Sequence, residues 1–93
     1  MTITGTITGN VVDPTGQAIA NAKLTLTSIQ TSDQRTVVTN ETGAFSVVAV
    51  QPDTYRLRIE ARGFKVYNRN QLVVTANERV ATGDIMLQVG DVT

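Results

Sequence analysis

The segment Tyr55-Arg56-Leu57-Arg58-Ile59-Glu60 alternates between apolar and charged side chains over its whole length. Successive side chains of an extended strand point to opposite faces of a sheet, so the apolar residues share one face and the charged residues share the other. One face therefore suits a hydrophobic core and the other suits water. The segment predicts a β-strand in a sheet that is covered on one side only.

Similar short runs, rich in β-branched residues, continue on both sides of this segment, and turn sequences separate them. Asp13-Pro14-Thr15-Gly16 has its proline and glycine where a type I turn favours them, and residues 40–43 and 51–54 form two further turn sequences. No stretch has helical periodicity. The predicted strands are residues 5–12, 22–28, 35–39, 44–47, 55–60 and 71–75, and a seventh in which Ile85, Leu87 and Val89 alternate. Seven such strands predict an all-β sandwich of two antiparallel sheets.

The composition excludes several classes of active site. The 93 residues suffice for one domain, and they include no cysteine and no histidine. Disulfides, thiolate metal sites, His-bound zinc and His-dependent catalytic triads are therefore excluded. Only carboxylate, lysine or tyrosine chemistry remains, and no pair of carboxylates stands out. We expect a protein that is not an enzyme, with no cofactor and no metal site.

The charge balance of the chain indicates which classes of partner it is suited to bind. Eight basic and eight acidic residues give a formal net charge of zero, whereas nucleic acids and anionic membrane surfaces favour a basic patch. No apolar run approaches the roughly 20 residues that a membrane-spanning helix needs. We expect no nucleic-acid partner and no insertion of the domain itself into a membrane.

Several pieces of the sequence, in their order and spacing, resemble the carboxypeptidase regulatory-like domains. These are residues 5–9 and 12–16, Ala22, residues 39–45, 52–55 and 61–64. The resemblance runs from Gly5 to Val89 and implies a transthyretin-like, seven-stranded antiparallel Greek-key sandwich. The family commonly has glycine where this chain has Asp53. Because Asp tolerates positive φ better than most residues, we expect the turn before Tyr55 to be retained.

The C-terminal residues 86–93 resemble the segment that links such a domain to the plug and barrel in Oar-like TonB-dependent receptors of the outer membrane. The N-terminal residues 1–5 lack a basic segment followed by an apolar stretch, so no signal peptide is visible. Both features favour an accessory domain of a longer cell-envelope protein, in the periplasm or at the outer membrane. Residues 1–4 would then be a disordered or artificial start, residues 5–89 the sandwich, and residues 90–93 a truncated linker. The partner would be the downstream plug and barrel or another envelope protein.

Two chemistries of related sandwiches do not fit this chain. Hydroxyisourate hydrolases use histidines, which are absent, and crosslinked Cna-B-type domains place a lysine on the first strand, which here has none. With Asp84 as the only acid at the last strand, we predict no internal crosslink. Asp13, Asn40 and Glu41 are expected at one end of the sandwich, but they fall short of the 6–8 oxygens that calcium takes.

The alternative function is binding of a carbohydrate or small ligand, as related starch-binding-like sandwiches do. Sugars stack on exposed aromatic rings, and Tyr67 is the one ring expected to be exposed, in a loop of residues 62–70. The candidate contacts for a ligand or protein partner are Arg62, Lys65, Tyr67 and Arg69. The charged row of residues 56, 58 and 60 is interpreted as a solvated sheet face with charge pairs across it.

Two predicted strands have the character of sheet edges. Val37-Val38 and Val73-Val74 each place an apolar residue on both faces of their strand. An edge strand has unpaired main-chain groups, to which a partner or a second copy can add a strand. We expect either strand to lie at an edge.

Overall fold

The computed structural model describes residues 4–90. The predicted assignments of residues 1–3 to an artificial start and of residues 91–93 to a linker lie outside the described residues. Within residues 4–90 the chain forms strands and turns but no helix, so no helix there is long and apolar enough to cross a membrane. The seven strands are β1 (Gly5–Val12), β2 (Lys23–Ser28), β3 (Gln34–Val38), β4 (Ala44–Val50), β5 (Asp53–Glu60), β6 (Tyr67–Val74) and β7 (Arg79–Met86).

The strands form two sheets that enclose one core, which confirms the predicted all-β sandwich. The smaller sheet has the order β4-β1-β7 and the larger sheet the order β3-β2-β5-β6. β4 returns to pair with β1, as the fourth strand of a Greek key does. Both valine-rich strands, β3 and β6, are edge strands of the larger sheet, as the sequence predicts.

Four details differ from the sequence prediction. β1 and β7 pair in parallel, so the smaller sheet is mixed rather than antiparallel. β6 begins at Tyr67, whereas the sequence predicts a loop over residues 62–70. Val89 lies beyond β7 and is 67% exposed, so it is not part of the inward alternation. Asp53 is not among the residues with positive φ and instead begins β5; the left-handed residue nearby is Ala49, with φ 55°.

The core consists of the inward residues of both sheets. Leu57 and Ile59 of β5 face Leu26 and Leu24 of β2 across the register, as the alternation of β5 requires. The buried apolar side chains are Ile7, Val11, Ile19, Ala22, Leu24, Leu26, Phe45, Val47, Val50, Tyr55, Leu57, Ile59, Leu72, Val74, Ile85 and Leu87. Burial of a large aliphatic side chain contributes about 1.5–3 kcal/mol to folding. The buried residues of each strand therefore determine which of its other residues face solvent.

Candidate interaction surfaces

Two turns at one end of the sandwich have the same local structure. Asp13 Oδ1 accepts hydrogen bonds from the amide and hydroxyl of Thr15 and from the amide of Gln17. Asn40 Oδ1 accepts the equivalent three from Thr42 and Ala44. Each turn also closes with a main-chain hydrogen bond of 2.9 Å, which the glycine amide donates to the carbonyl oxygen of the residue three positions earlier. The shared pattern is Asx-x-Thr-Gly, in which the Asx side chain replaces a backbone acceptor.

The two turns contact each other, so Asp13 and Asn40 lie at the same end as predicted. The Gly43 carbonyl accepts a hydrogen bond from the amide of Val11 at 2.8 Å, and a Cβ on Gly43 would lie 3.2 Å from Cβ of Ala18. The hydrogen bond from the Thr15 hydroxyl, with those from main-chain amides, lowers the pKa of Asp13. Asp13 Oδ1 and Asn40 Oδ1 are thus already engaged in local hydrogen bonds. Within residues 4–90, no group of three or more acidic side chains is arranged to hold a metal ion.

The side of the sandwich formed by β3 and β4 is closed by one side chain. Arg35 of β3 donates from Nη1 to the carbonyl oxygens of Val48, at 2.6 Å, and Ala49, at 3.1 Å. Ala49 has φ 55° and lies where the pairing of β1 with β4 shifts register, at a β-bulge. The bulge directs both carbonyls toward the guanidinium, which occupies acceptors that an added strand would otherwise use.

A small pocket lies beneath Arg35. Its volume is about 170 Å³, and its walls include Leu26, Val50 and Tyr55. The Tyr55 hydroxyl donates to the carbonyl of Gln51 at 2.5 Å, which supplies the backbone acceptor that a buried tyrosine needs. Burial raises the pKa of Tyr55, and the nearby carboxylate of Asp53 raises it further. Ligand pockets usually measure roughly 300–1,000 Å³, so this pocket is small for a drug-sized molecule.

The side formed by β6 and β7 is open by comparison. Among the hydrogen bonds of residues 4–90, none joins β6 to β7 directly. The connecting turn is local: Glu78 Oε1 accepts from the amide and hydroxyl of Thr75, and the Glu78 amide donates to the Thr75 carbonyl. The edge of β6 from Tyr67 to its bulge near Gln71, where φ is 64°, therefore faces solvent.

The predicted contact residues lie on β6 or in the segment before it, and they differ in exposure. Arg62 and Lys65 are exposed in the segment before β6, and Arg69 is exposed on β6 itself. Tyr67 is half-buried and packs against the core, because it pairs with the buried Ile59 on the inner face of the sheet. Tyr67 is therefore not the flat exposed platform that the sequence suggests, and of the three cations Arg69 lies on β6 itself.

The outer face of the larger sheet is a second candidate surface. It forms a shallow polar depression lined by Thr25, Thr27, Gln34, Arg56, Arg58, Glu60, Asn68 and Asn70. Arg58 Nε lies 3.2 Å from Glu60 Oε1, and both side chains are about half exposed. The charged row is solvated, but this ion pair lies along β5, whereas the sequence predicts pairs across neighbouring strands. The depression offers hydrogen-bonding groups but no aromatic ring.

Two important polar residues have no local sequence signal. Thr39 is buried, and its hydroxyl accepts from the amide of Ala22 at 2.9 Å and donates to the carbonyl of Ile19 at 2.7 Å. Arg35 closes the sandwich through the bulge at Ala49. Both roles depend on partners at least 13 residues away in sequence, which alternation cannot show. Asp84, the acid considered for a crosslink, is exposed, and Asn10 donates to it at 3.5 Å.

Comparisons with known proteins agree with this architecture. The sequence profile of the carboxypeptidase regulatory-like domain matches residues 6–88. The chain belongs to the carboxypeptidase regulatory-like domain family. The chain is 33% identical over 76 residues to the TonB-dependent transporter Oar of Myxococcus xanthus. That alignment covers 81% of this chain but 7% of the transporter.

Solved structures show that the same fold occurs in very different settings. One neighbour is a type II cohesin–X–dockerin complex from Acetivibrio cellulolyticus, with a TM-score of 0.71, 21% identity, and coverage of 94% of this chain and 59% of that chain. A 3-chlorocatechol 1,2-dioxygenase from Rhodococcus opacus has a TM-score of 0.70 at 13% identity, covering 97% and 61%. A candidate carbohydrate-binding protein of Bacteroides uniformis has a TM-score of 0.65 at 20% identity, covering 94% and 40%. At these identities the likeness shows the fold alone.

Proposed function

We propose that this regulatory-like domain is a non-catalytic docking module of a larger cell-envelope protein, a TonB-dependent receptor of the outer membrane. The observation that carries the proposal is the alignment with the Oar transporter, in which most of this chain matches a small fraction of a much longer protein. The domain would lie outside the cytoplasm, in the periplasm or at the cell surface. Its partner would be the plug and barrel of the same receptor or another envelope protein.

The geometry supports docking rather than catalysis. The chain has no histidine or cysteine, and the polar clusters described above are occupied by structural hydrogen bonds within the turns and at the β3/β4 side. The features left exposed are a sheet edge and a polar sheet face, and both are suited to recognition. A docking module needs such surfaces on a rigid scaffold, which the sandwich provides.

The test is an immunoblot of fractionated native cells with an antibody raised against this domain. The expected result is a band far above 10.0 kDa in the outer-membrane fraction. A band near 10.0 kDa in the cytosolic fraction would overturn the receptor assignment. Deletion of the domain from the full-length receptor should then lower uptake or assembly while the barrel still inserts.

The second candidate function is carbohydrate binding, and the polar depression on the larger sheet favours it. Side chains such as Asn68, Asn70 and Arg58 offer donors and acceptors that match sugar hydroxyls. A glycan array with the purified domain tests this function, with Arg58→Ala as the variant expected to weaken binding. Tyr67→Ala provides the comparison at the β6 edge. No glycan bound by the wild-type domain would exclude this candidate.

A further inference from the structure

The charges of this neutral chain are unevenly distributed around the open edge. Residues 61–77 include three cations, Arg62, Lys65 and Arg69, and no acidic residue. The nearest acid before this stretch, Glu60, already pairs with Arg58 on the outer face. No salt bridge engages the three cations within residues 4–90. The segment of residues 61–77 therefore has a formal charge of +3 in a chain whose net charge is zero.

The main chain just before β6 already accepts an antiparallel strand. The Lys65 amide donates to the Gln88 carbonyl at 2.7 Å, and the Gly90 amide donates to the Gly63 carbonyl at 3.2 Å. Phe64 and Val89 form an antiparallel bridge between these two hydrogen bonds. The pairing stops there, and the following residues of β6 pair on one side only, with β5.

The other three sheet edges each have a feature that opposes strand addition. The β3 and β4 edges are tied together by Arg35, and β4 is bent by its bulge. β7 is interrupted where its pairing with β1 shifts register, next to Gly83 with φ 71°. In β6 the bulge near Gln71 leaves the segment Tyr67–Asn70 extended before it. Bulges and charged side chains are the usual means by which proteins protect sheet edges. β6 has both, but its bulge lies after Asn70, so the extended residues 67–70 remain the edge segment best suited to a partner whose charge is opposite to that of Arg69.

We propose that the β6 edge, from Tyr67 to Asn70, binds an extended acidic peptide segment of a partner protein by strand addition. The inference deepens the docking role proposed above and rests on it. Main-chain groups of β6 supply the affinity, and the cations supply the specificity. Arg69 pairs in register with Leu57 and Tyr67 with Ile59, so both lie on the inner face of the sheet, where acidic side chains at alternate positions of an added strand can meet Arg69.

The spacing of the acids in the partner follows from this geometry. Side chains of a strand repeat with a period of two on each face. Lys65, Tyr67 and Arg69 have this spacing in the sequence. A segment with acids at every second position can therefore present them all on the side of Arg69, whereas a segment with the same acids in one block presents about half of them to the opposite face.

The experiment measures binding of two synthetic peptides of equal composition to the purified chain by NMR titration at low salt. One peptide alternates threonine and glutamate, and the other has the same residues with the glutamates in one block. We expect the alternating peptide to bind more tightly and to slow amide hydrogen exchange at residues 67–70. Arg69→Glu should weaken its binding by about threefold to tenfold, since exposed ion pairs are individually weak. Lys23→Glu, the same charge change two strands away, should alter binding by less than about twofold.

Several results would overturn the proposal. Equal binding of the two peptides, or binding without slowed exchange at residues 67–70, would show charge attraction without strand addition. Stronger binding of oligogalacturonate at the same cations would identify an acidic glycan as the occupant. A concentration-dependent dimer, with exchange at β6 slowed in the absence of peptide, would identify a second copy. These results leave the receptor assignment intact, because that assignment is tested separately by fractionation of native cells.

Discussion

Arg35 Nη1 lies 2.6 Å from the carbonyl oxygen of Val48, so one side chain of the larger sheet holds the edge strand of the smaller sheet. The sandwich is thereby closed on the β3/β4 side and left open on the β6/β7 side. The β6 edge that we propose for docking lies on the other side of the sandwich.

Replacement of Arg35 by methionine tests the closing role. The variant keeps much of the aliphatic volume but removes the donors to Val48 and Ala49. We expect the free energy of unfolding to fall by about 1 kcal/mol, because the exposed carbonyls then form hydrogen bonds with water instead. Arg56→Met is the matched control, since Arg56 is an exposed arginine on the outer face of β5. Urea denaturation measures the free energy of unfolding of both variants. Equal losses of stability in the two variants would contradict the closing role of Arg35.

The two Asx-x-Thr-Gly turns allow a matched test of backbone strain against steric overlap. Gly16 and Gly43 have φ of 87° and 74°, but a Cβ on Gly16 meets nothing within 4 Å, whereas a Cβ on Gly43 would lie 2.6 Å from the Val11 carbonyl oxygen. We expect Gly16→Ala to cost about 1 kcal/mol from strain alone. Gly43→Ala should cost about 2 kcal/mol more, because a main-chain atom must move. Thermal unfolding measures the difference, and similar melting temperatures would show that the two turns do not pack as described.

The carboxylate of Asp13 should make the stability depend on pH. Its pKa is lowered in the folded state by the hydrogen bond from Thr15, so the ionised form stabilises the fold. This contribution is present above the ordinary pKa of 3.8 and is lost as the pH falls through the lower folded value. Asp13→Asn keeps the acceptor oxygen, as Asn40 shows in the matching turn. We expect the variant to lose this part of the acid dependence, which urea denaturation across acidic pH measures; an unchanged profile would contradict the assignment.

We expect the phenol of Tyr55 to ionise at a higher pH than an ordinary tyrosine, and we expect Tyr55→Phe to remove this ionisation. Burial and the charge of Asp53 raise the pKa of the phenol, so the neutral form stabilises the fold at pH values below the ordinary pKa of 10.0, and this stability is lost as the pH rises through the folded value. Ultraviolet absorbance of tyrosinate follows the ionisation. The variant also loses the hydrogen bond to Gln51, which should cost about 1 kcal/mol at neutral pH. Ionisation of Tyr55 at the ordinary value would contradict this environment.

The sequence predicts the features of this fold that are local. The alternation from Tyr55 to Glu60 predicts β5 because each side chain's face follows from its position, and the turns before Gly16 and Gly43 are predicted from their own residues. The start of β6 is missed because residues 68–71 are polar on both faces, as an exposed edge allows. The parallel pairing of β1 with β7 depends on residues more than 70 positions apart. Of the candidate contacts, Arg69 lies on the edge strand β6 and Arg62 and Lys65 precede it, but the burial of Tyr67 follows from its pairing with Ile59, which no local pattern reveals.

Thr39 offers the sharpest test of how the two ends of the β2–β3 hairpin are joined. Its buried hydroxyl accepts a hydrogen bond from the amide of Ala22 and donates one to the carbonyl of Ile19, and both of these residues are buried. Thr39→Val has the same shape but leaves both main-chain groups without a partner, and an unsatisfied buried group costs about 1–3 kcal/mol. We therefore expect a loss of about 2–4 kcal/mol in the free energy of unfolding. Thr39→Ser keeps the hydroxyl and removes one methyl group, which should cost about 1 kcal/mol. If urea denaturation finds valine better tolerated than serine, methyl packing rather than the hydroxyl holds this corner of the sandwich.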